Sequence, residues 1–578
     1  MKRTSSRMQL IFDIETNGLK PSVIWCLCAV KDGEMVTLEM PTQKDVEELL
    51  EGVTEVIGHN IIRYDIPVVN RLLGITFEGL KITDTLVMSR LYNPSLEGGH
   101  SLGKWGERLK FPKGDYNDWS ALTPEMVEYC QQDVRVTERL YEVLSEKLDP
   151  FGTESIDLEH RVQTEISTQI DNGWLLDQRK AFDLVATLQE KKYELEETVL
   201  QTFRPLATFI KTIKPKIKKD GSLSAVGLKF LGESWVDVAG EFSRIDYPEF
   251  NLGSRQQIGR YLQRFGWKPE KFTEKGQAIV DESVLATVTD IPEAQLIAEY
   301  LLVQKRIAQV QSWIEALEDD GRVHGNVNAI GAVTGRMTHS TPNMAQVPAV
   351  YSPYGEECRS VWIVPEGHKL VGIDASGLEL RMLAHYMGDD SYTHEILNGD
   401  IHTANQTAAG LPSRDQAKTF IYAFLYGAGD AKIGSVVGGS SNDGKRLKAK
   451  FLENTPALAE LRDRVSTAAN RGYLRGLDGR RLWIRSEHAA LNTLLQSAGA
   501  VVMKKALDIF VEYAAKWKLE YKLVGSIHDE YQIEALEKDA KNVGYLMVES
   551  IKAAGIHFNM RCPLDGEYKI GNNWAETH

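Results

Sequence analysis

Two sets of carboxylates have types and spacings that could do chemistry. "FDIETNG" puts Asp13 and Glu15 two residues apart on a strand-like run, so both point to one face. On an inner strand such a pair is costly unless a cation compensates it. "GHNIIRYDIP" adds Asn60, Tyr64 and Asp65, and "YCQQD" adds Tyr129 and Asp133 one helical turn apart. Four carboxylates and a phenol suit two divalent metals and an oriented water in phosphodiester hydrolysis. A lone D-x-E is more often solvated strand polarity. Strand, loop and helix contributing in this order favour the metal site.

The second set lies past residue 370. "KLVGIDASGLELRMLAHYM" is an apolar strand ending at Asp374, a turn of small residues, then an amphipathic helix. "YKLVGSIHDEYQIEA" carries His528, Asp529 and Glu530 at the tip of a strand pair. Carboxylates on adjacent strand tips could share two metals ~3.5–4 Å apart. A polar hairpin tip and a capping aspartate would explain each piece singly, but three polar residues interrupt a pair that is otherwise apolar or alternating. Between them, "RDQAKTFIYAFLYGAGD" steps Arg414, Lys418, Tyr422 and Tyr426 by four, while Phe420, Ile421, Phe424 and Leu425 form an apolar side. In isolation that is a solvated basic face carrying tyrosines. Beside Asp374 and Asp529 it becomes an ordered row of contacts.

The elements that must position these groups are legible. Residues 8–40 alternate like strands with a hairpin turn at Asp32-Gly33, and "LTPEMVEYCQQDVRVTERLYEVLSEKL" reads as a helix capped by Thr123 with Pro124 in its first turn. From about 155 to 325 the pattern is mostly helical. "QRKAFDLVATLQEKKYELEETVLQTF" is a long amphipathic helix, and Ser254 with Gln257 opens another as a capping box. "RPLATFIKTIKPKIKKDGSLSAVG" between them is lysine-rich and broken by prolines, an exposed basic excursion. From 326 onward strand-like runs alternate with long helices.

A chain of 578 residues exceeds one core, so about three or four domains are expected. The net charge of −14 argues weakly against a nucleic-acid partner, because a local basic cleft decides binding. Cys26, Cys28, Cys130, Cys358 and Cys562 are odd in number and form no C-x-x-C, which suggests neither a disulfide frame nor structural zinc and fits a reducing cytosol. The basic opening residues run into Asp13 and Glu15, so no signal peptide is expected. No apolar run approaches spanning length.

The first carboxylate set resembles the proofreading 3′–5′ exonucleases of the DnaQ-like, ribonuclease-H-type fold, whose motifs match Asp13/Glu15, Asn60/Tyr64/Asp65 and Tyr129/Asp133. The resemblance implies that Asp13, Glu15, Asp65 and Asp133 are metal ligands, that Tyr129 with Glu15 orients the attacking water, and that Asn60 supports the strand end or substrate. "DASGLELR", "RDQAKTFIYAFLYGAGD" and "HDE" resemble motifs A, B and C of family A DNA polymerases. Within that family the chain most resembles the replicative polymerases of short-tailed, T-odd-type bacteriophages. "AVTGRMTHSTPNMAQVP", "NGDIHTANQ", "GLDGRRLWIRSEHAALNTLLQSAGA" and "GNNWAETH" carry the same likeness.

The implied fold is multidomain α/β and α+β. A ribonuclease-H-like exonuclease domain at 1–150 precedes a right-hand polymerase, with a thumb at 151–325 (a short basic insert near 204–250), and palm and fingers at 326–578, the fingers about 385–500. By resemblance Asp374 and Asp529, with the Ala375 carbonyl, hold two Mg2+, and two more serve the exonuclease, with Mn2+ as a substitute. Glu530 and His528 lie near the primer end. Arg414, Lys418 and His402 meet the triphosphate, Tyr426 stacks beside the templating position, and Tyr422, packed with Glu379, excludes a ribose 2′-hydroxyl. Arg336 and Gln496 face the duplex minor groove, where acceptors are common to all base pairs. Arg462, Arg471, Arg480 and Lys305/Arg306 are expected along the DNA path. The implied partners are primer-template DNA, dNTPs and a single-stranded 3′ end, in the cytoplasm of an infected bacterial host. A phage helicase-primase or single-strand-binding protein is a further expected partner.

Lys211, Lys214, Lys216, Lys218 and Lys219 admit three readings: a dock for a processivity factor, a tether on DNA, or a solubilising loop, with the tether preferred. The competing function, a nuclease whose degenerate polymerase body only binds DNA, would need Asp374 or Asp529 to be missing. Both are present.

Overall fold

The computed structural model describes residues 7–578 apart from 215, 217 and 223–240. Two compact bodies result: residues up to Asp177 together with Ala316–His578, and Gln178–Glu315.

The first body opens with a five-stranded sheet of β1 (Gln9–Thr16), β2 (Ile24–Lys31), β3 (Glu34–Glu39), β4 (Glu55–Gly58) and β5 (Lys81–Asp84), in the order β3-β2-β1-β4-β5. β1–β2 and β2–β3 pair antiparallel, whereas β1–β4 and β4–β5 are parallel. Asp32 and Gly33 both adopt positive φ in the two-residue β2–β3 turn, as the hairpin reading expects. β1 is covered on both faces. Leu10, Phe12 and Ile14 join a core with Val56 and Val69, while Ile11 faces Met126, Val127 and Val134 of the Pro124–Leu148 helix. Period two therefore aims Asp13 and Glu15 at that helix. Thr123 caps it by accepting from the Met126 amide, with Pro124 in the first turn.

Asp65 was expected on a loop. It ends a single π-helical turn, Ile61–Asp65, entered through Asn60 at φ +62°. Asp84 fixes this turn by accepting from the Asn60 and Ile62 amides at 2.8 and 3.1 Å. A Cβ on Gly58 would lie 2.2 Å from Ile61 Cγ2, so only glycine admits the approach.

The helix Glu154–Asn172 follows, and the short strand Trp174–Leu176 pairs with Arg322–Val323 and Trp362–Ile363. Residues 154–177 and 316–325 thus belong to the first body, and the second begins and ends inside the 151–325 segment expected from sequence. In the second body the long helices Gln178–Thr202 and Pro292–Glu315 pack together, with a core of Phe203, Phe250, Tyr261, Trp267 and Ile297. Ser254 caps its helix by accepting from the Gln257 amide, but Gln257 Oε1 turns away to the Asn251 amide, so the capping box is half formed. Among the described residues of the basic excursion, Thr208–Ile213 pairs with Phe242–Asp246 as a two-stranded ribbon. Phe209, Ile210, Ile245 and Tyr247 are exposed on it or beside it.

The remainder of the first body is built on a four-stranded antiparallel sheet in the order Tyr521–Ile527, Glu530–Leu536, His368–Ala375, Gly566–Gly571. The helices Leu378–Met387, Ala490–Lys516 and Ala540–His557 share its core, which extends to Phe420, Ile421 and Leu425 of the helix Arg414–Leu425. The apolar side of that helix is plain core, as its spacing predicted.

Candidate active sites

The first cluster gathers between β1 and the Pro124–Leu148 helix. Ligand atoms of Asp13, Glu15 and Cys130 lie within 4.8 Å of one another, and the Cys130 thiol stands 3.7 Å from Asp13 Oδ2. Asp65 Oδ2 accepts from the Ile14 amide at 3.2 Å, which holds it beside Asp13. Asp133 is held by Lys113, whose Nζ is 3.1 Å from Oδ2.

Crowding dominates the electrostatics of this arrangement. Burial and then Asp133 push the Asp13 carboxyl up to about 8, and burial and then Asp13 push Glu15 up to about 10. Burial also raises Asp133, to about 6, against the opposing pull of Lys113, and raises Asp65 with help from Asp13. Carboxylates this crowded ionise together only beside added positive charge, and oxygen donors suit a hard divalent cation. Tyr129 lies one turn from Asp133, with its ring 4.8 Å from Lys113 Nζ and within 5.8 Å of Tyr116 and Trp119. Lys113 and this aromatic wall were not foreseen, because they come from an irregular stretch whose only sequence signal is "FPKGDYNDW". Asn60 enters the turn that carries Asp65 with a left-handed backbone.

The second cluster sits at the edge of the four-stranded sheet. Asp374 is directly opposite Glu530, and Asp529 occupies the hairpin tip after His528, which has φ +54°. The Ala375 amide donates to the Asp529 carbonyl at 3.1 Å, locking the two tips side by side. Burial raises Asp529 to about 6 despite Arg336. Glu530 is turned inward, 5% exposed, and accepts from Gln532 Nε2 at 2.8 Å. Burial, then Arg336, lowers His528.

Arg336 Nη2 stands 4.0 Å from Asp529 Oδ1 and 3.8 Å from Glu379 Oε1. Glu379 Oε1 in turn accepts from the Tyr426 hydroxyl at 2.5 Å. In this structure Glu379 is therefore joined to Tyr426, one helical turn beyond the Tyr422 expected to pack with it. Tyr422 is half-buried against the core with its ring 6.0 Å from His402, and Glu379 reaches it only as a field that raises its phenol after burial. Tyr426 ends the helix, half exposed, and so its phenol can cross to Glu379.

Arg414 Nε pairs with Asp400 Oδ2 at 2.7 Å, which holds that carboxyl well below its usual range. Asp400 also caps the helix Ile401–Ala409 that carries His402. Burial, then Arg414 and Lys418, lowers His402, so the three basic groups share one corner. Gln496 Nε2 donates to Asn492 Oδ1 at 3.0 Å on the Ala490–Lys516 helix.

Two neighbours were missed in the sequence. His578 Nε2 lies 3.4 Å from Asp374 Oδ2, and Arg359 Nη1 donates to the His578 carbonyl at 2.8 Å. Two arginines expected on a DNA path are buried instead. Arg480 is 2% exposed and ion-paired to Glu159 and Asp478, and Arg306 is 7% exposed with its Nη1 2.9 Å from Gln309 Oε1. Arg462 and Arg471 rest over the rings of Phe424 and Tyr473.

A sheet with paired carboxylate tips, faced by a helix of stepped cations and phenols, defines a template-directed nucleic-acid polymerase. Residues 229–576 match the profile of DNA polymerase family A. The DNA-directed DNA polymerase of Enterobacteria phage T3 is 37% identical over an alignment covering 98% of this chain and all of that one, and its counterpart in Escherichia phage T7 is 36% identical over the same shares. The thermostable DNA polymerase I of Thermus aquaticus is 27% identical across 75% of this chain and 55% of its own length. A solved structure, the POL domain of Pol1 from M. smegmatis in complex with DNA primer-template and dNTP, superposes with a TM-score of 0.79 at 19% identity. It covers 99% of this chain and 96% of that one. The chain belongs to DNA polymerase family A and is a DNA-directed DNA polymerase.

Proposed function

We propose that primer extension takes place at Asp374 and Asp529 and that Asp13, Glu15, Asp65 and Asp133 form a separate 3′–5′ proofreading exonuclease. The observation that carries the first assignment is the chain of contacts from Tyr426 through Glu379 and Arg336 to Asp529, which ties the Arg414–Leu425 helix to the carboxylate tips. Family A polymerases use divalent metal ions, and hard oxygen donors such ions take are offered by Asp13 and Glu15 at the first cluster and by the adjacent strand tips of Asp374 and Asp529 at the second. In this reading Asp374, Asp529 and the Ala375 carbonyl hold two Mg2+, and the four exonuclease carboxylates hold two more. When bound, the ions supply charge neutralisation and activation of the attacking oxygen.

The protein's own groups do the positioning. Arg414 swings from Asp400 to the triphosphate, with its planar fork matching phosphate oxygens, while Lys418 and His402 add point charges. Tyr426 leaves Glu379 and stacks beside the templating base. Tyr422 then closes on Glu379 and fills the space a 2′-hydroxyl needs, with its own hydroxyl standing in for a missing 3′-hydroxyl contact. Arg336 and Gln496 test the primer-end pair from the minor groove, and His528 and Glu530 bound the primer end. At the other site Tyr129 and Glu15 orient the water on a single-stranded 3′ end.

Tyr422→Phe is expected to raise discrimination against dideoxynucleotides by about tenfold or more, the range for one lost polar contact in a closed site. Chain-termination assays with unchanged discrimination would remove Tyr422 from this role.

Gln178–Glu315 is assigned as the thumb. Its ribbon sets Lys211 and Arg244 beside exposed Phe209, Ile245 and Tyr247, a mixture suited to phosphates and bases, so it serves as a tether on DNA rather than a dock for a processivity partner. Deleting 211–219 should shorten products in a salt-dependent way, most at low salt and less as salt rises, because salt weakens the phosphate contacts that the deletion removes. Equal product lengths at every salt concentration would leave a solubilising loop. Among the described residues no helix is long and apolar enough to cross a membrane, and the phage relatives support action in the cytoplasm of an infected bacterium.

A further inference from the structure

Beneath the polymerase cluster lies a buried set of charges that none of these roles uses. Glu159, Asp478, Arg480 and Lys504 are at most 3% exposed. Lys504 Nζ donates to Glu159 Oε1 at 2.7 Å, to the Ala329 carbonyl at 2.8 Å and to the Gly335 carbonyl at 2.7 Å, so all three of its protons are engaged. Arg480 Nη1 donates to the same Glu159 oxygen at 2.7 Å, and Nη2 donates to Asp478 Oδ2 at 2.7 Å. Two cations balance two carboxylates.

Apolar residues of similar volume would stabilise a core equally well or better than such a set, so stability alone does not account for it. Its geometry has a definite target. Ala329 and Gly335 bracket a tight turn in which the Gly331 and Ala332 amides donate to the Arg336 carbonyl and the Gly335 amide donates to Ala332. Lys504 clamps both ends of that turn. Arg480 supports it from below: Gly335 has φ +85°, and a Cβ there would fall 2.9 Å from Arg480 Nη1. The next residue is Arg336, whose guanidinium stands between Asp529 and Glu379.

We propose that Lys504 is a positioning residue for primer extension. By pinning the Ala329–Gly335 turn through Glu159 and Arg480, it sets where the Arg336 guanidinium meets the primer-end base pair. The inference rests on the polymerase reading of Asp374 and Asp529. Lys504 touches neither substrate nor metal in this scheme, and its influence passes through Arg336 alone.

The test compares K504M, which keeps chain length and removes charge and donors, with G335A, which disturbs the same turn with Lys504 intact. Steady-state extension is measured from matched and mismatched primer ends, in the wild type, R336A and the R336A/K504M pair. K504M and G335A should each lower kcat/KM on matched ends by about tenfold and far less on mismatched ends, so that discrimination falls. In the R336A background K504M should add less than about a twofold loss, the mark of two residues acting as one unit. Degradation of single-stranded primer should be retained and reports that the fold survives. If K504M loses both activities through misfolding, G335A decides. Additive losses in the double variant, or equal losses on matched and mismatched ends, would overturn the proposal. Failure of the wild type to extend any primer would instead defeat the polymerase reading on which it rests.

Discussion

Asp529→Asn is expected to cut primer extension by on the order of 10³-fold while leaving primer degradation intact, the scale seen when a preorganised charge is removed from a reacting centre. The substitution keeps shape and removes one charge from a crowded tip. Burial already raises this carboxyl to about 6, with Glu379 and Asp374 adding to the rise. Removing the charge therefore relieves repulsion, and Tm should hold or rise even as activity collapses. A drop in activity accompanied by a large fall in Tm would mean that Asp529 is a structural residue of the hairpin.

The second large effect concerns the other cluster. Asp13→Ala with Glu15→Ala should abolish primer degradation, a loss again on the order of 10³-fold or more, and spare extension. These two carboxyls are pushed up to about 8 and 10 by burial and by their acidic neighbours. The strand that carries them is held by Leu10, Ile11, Phe12 and Ile14, which the substitutions do not touch. The sheet should survive, with thermal unfolding at or above the parent temperature. Loss of synthesis together with degradation would contradict two separate sites.

Much of this was legible because local chemistry and global fold agree. Period two along "QLIFDIET" aims Asp13 and Glu15 to one side, Thr123 and Pro124 start their helix as written, and the hairpin at Asp32-Gly33 forms where its residues require. The tips at Asp374 and Asp529 followed from polar residues at the ends of apolar strands. What stayed hidden depends on packing between distant segments. Arg480 reads as a surface cation in "GLDGRRLW", and only the approach of Glu159 and Asp478 makes it a buried one. Lys113 and His578 reach carboxylates from stretches with no periodic pattern. The exchange of Tyr422 for Tyr426 at Glu379 has a similar origin, since four-residue steps fix a face but not which phenol can cross the gap.

The most direct measurement is a single primer-extension gel with a labelled primer-template, run with and without dNTPs and with and without Mg2+. With Mg2+ and dNTPs the primer should lengthen to the template end. With Mg2+ alone it should shorten from its 3′ end, and without Mg2+ it should not change. Shortening in both Mg2+ lanes with no extension would contradict the assignment of synthesis to Asp374 and Asp529.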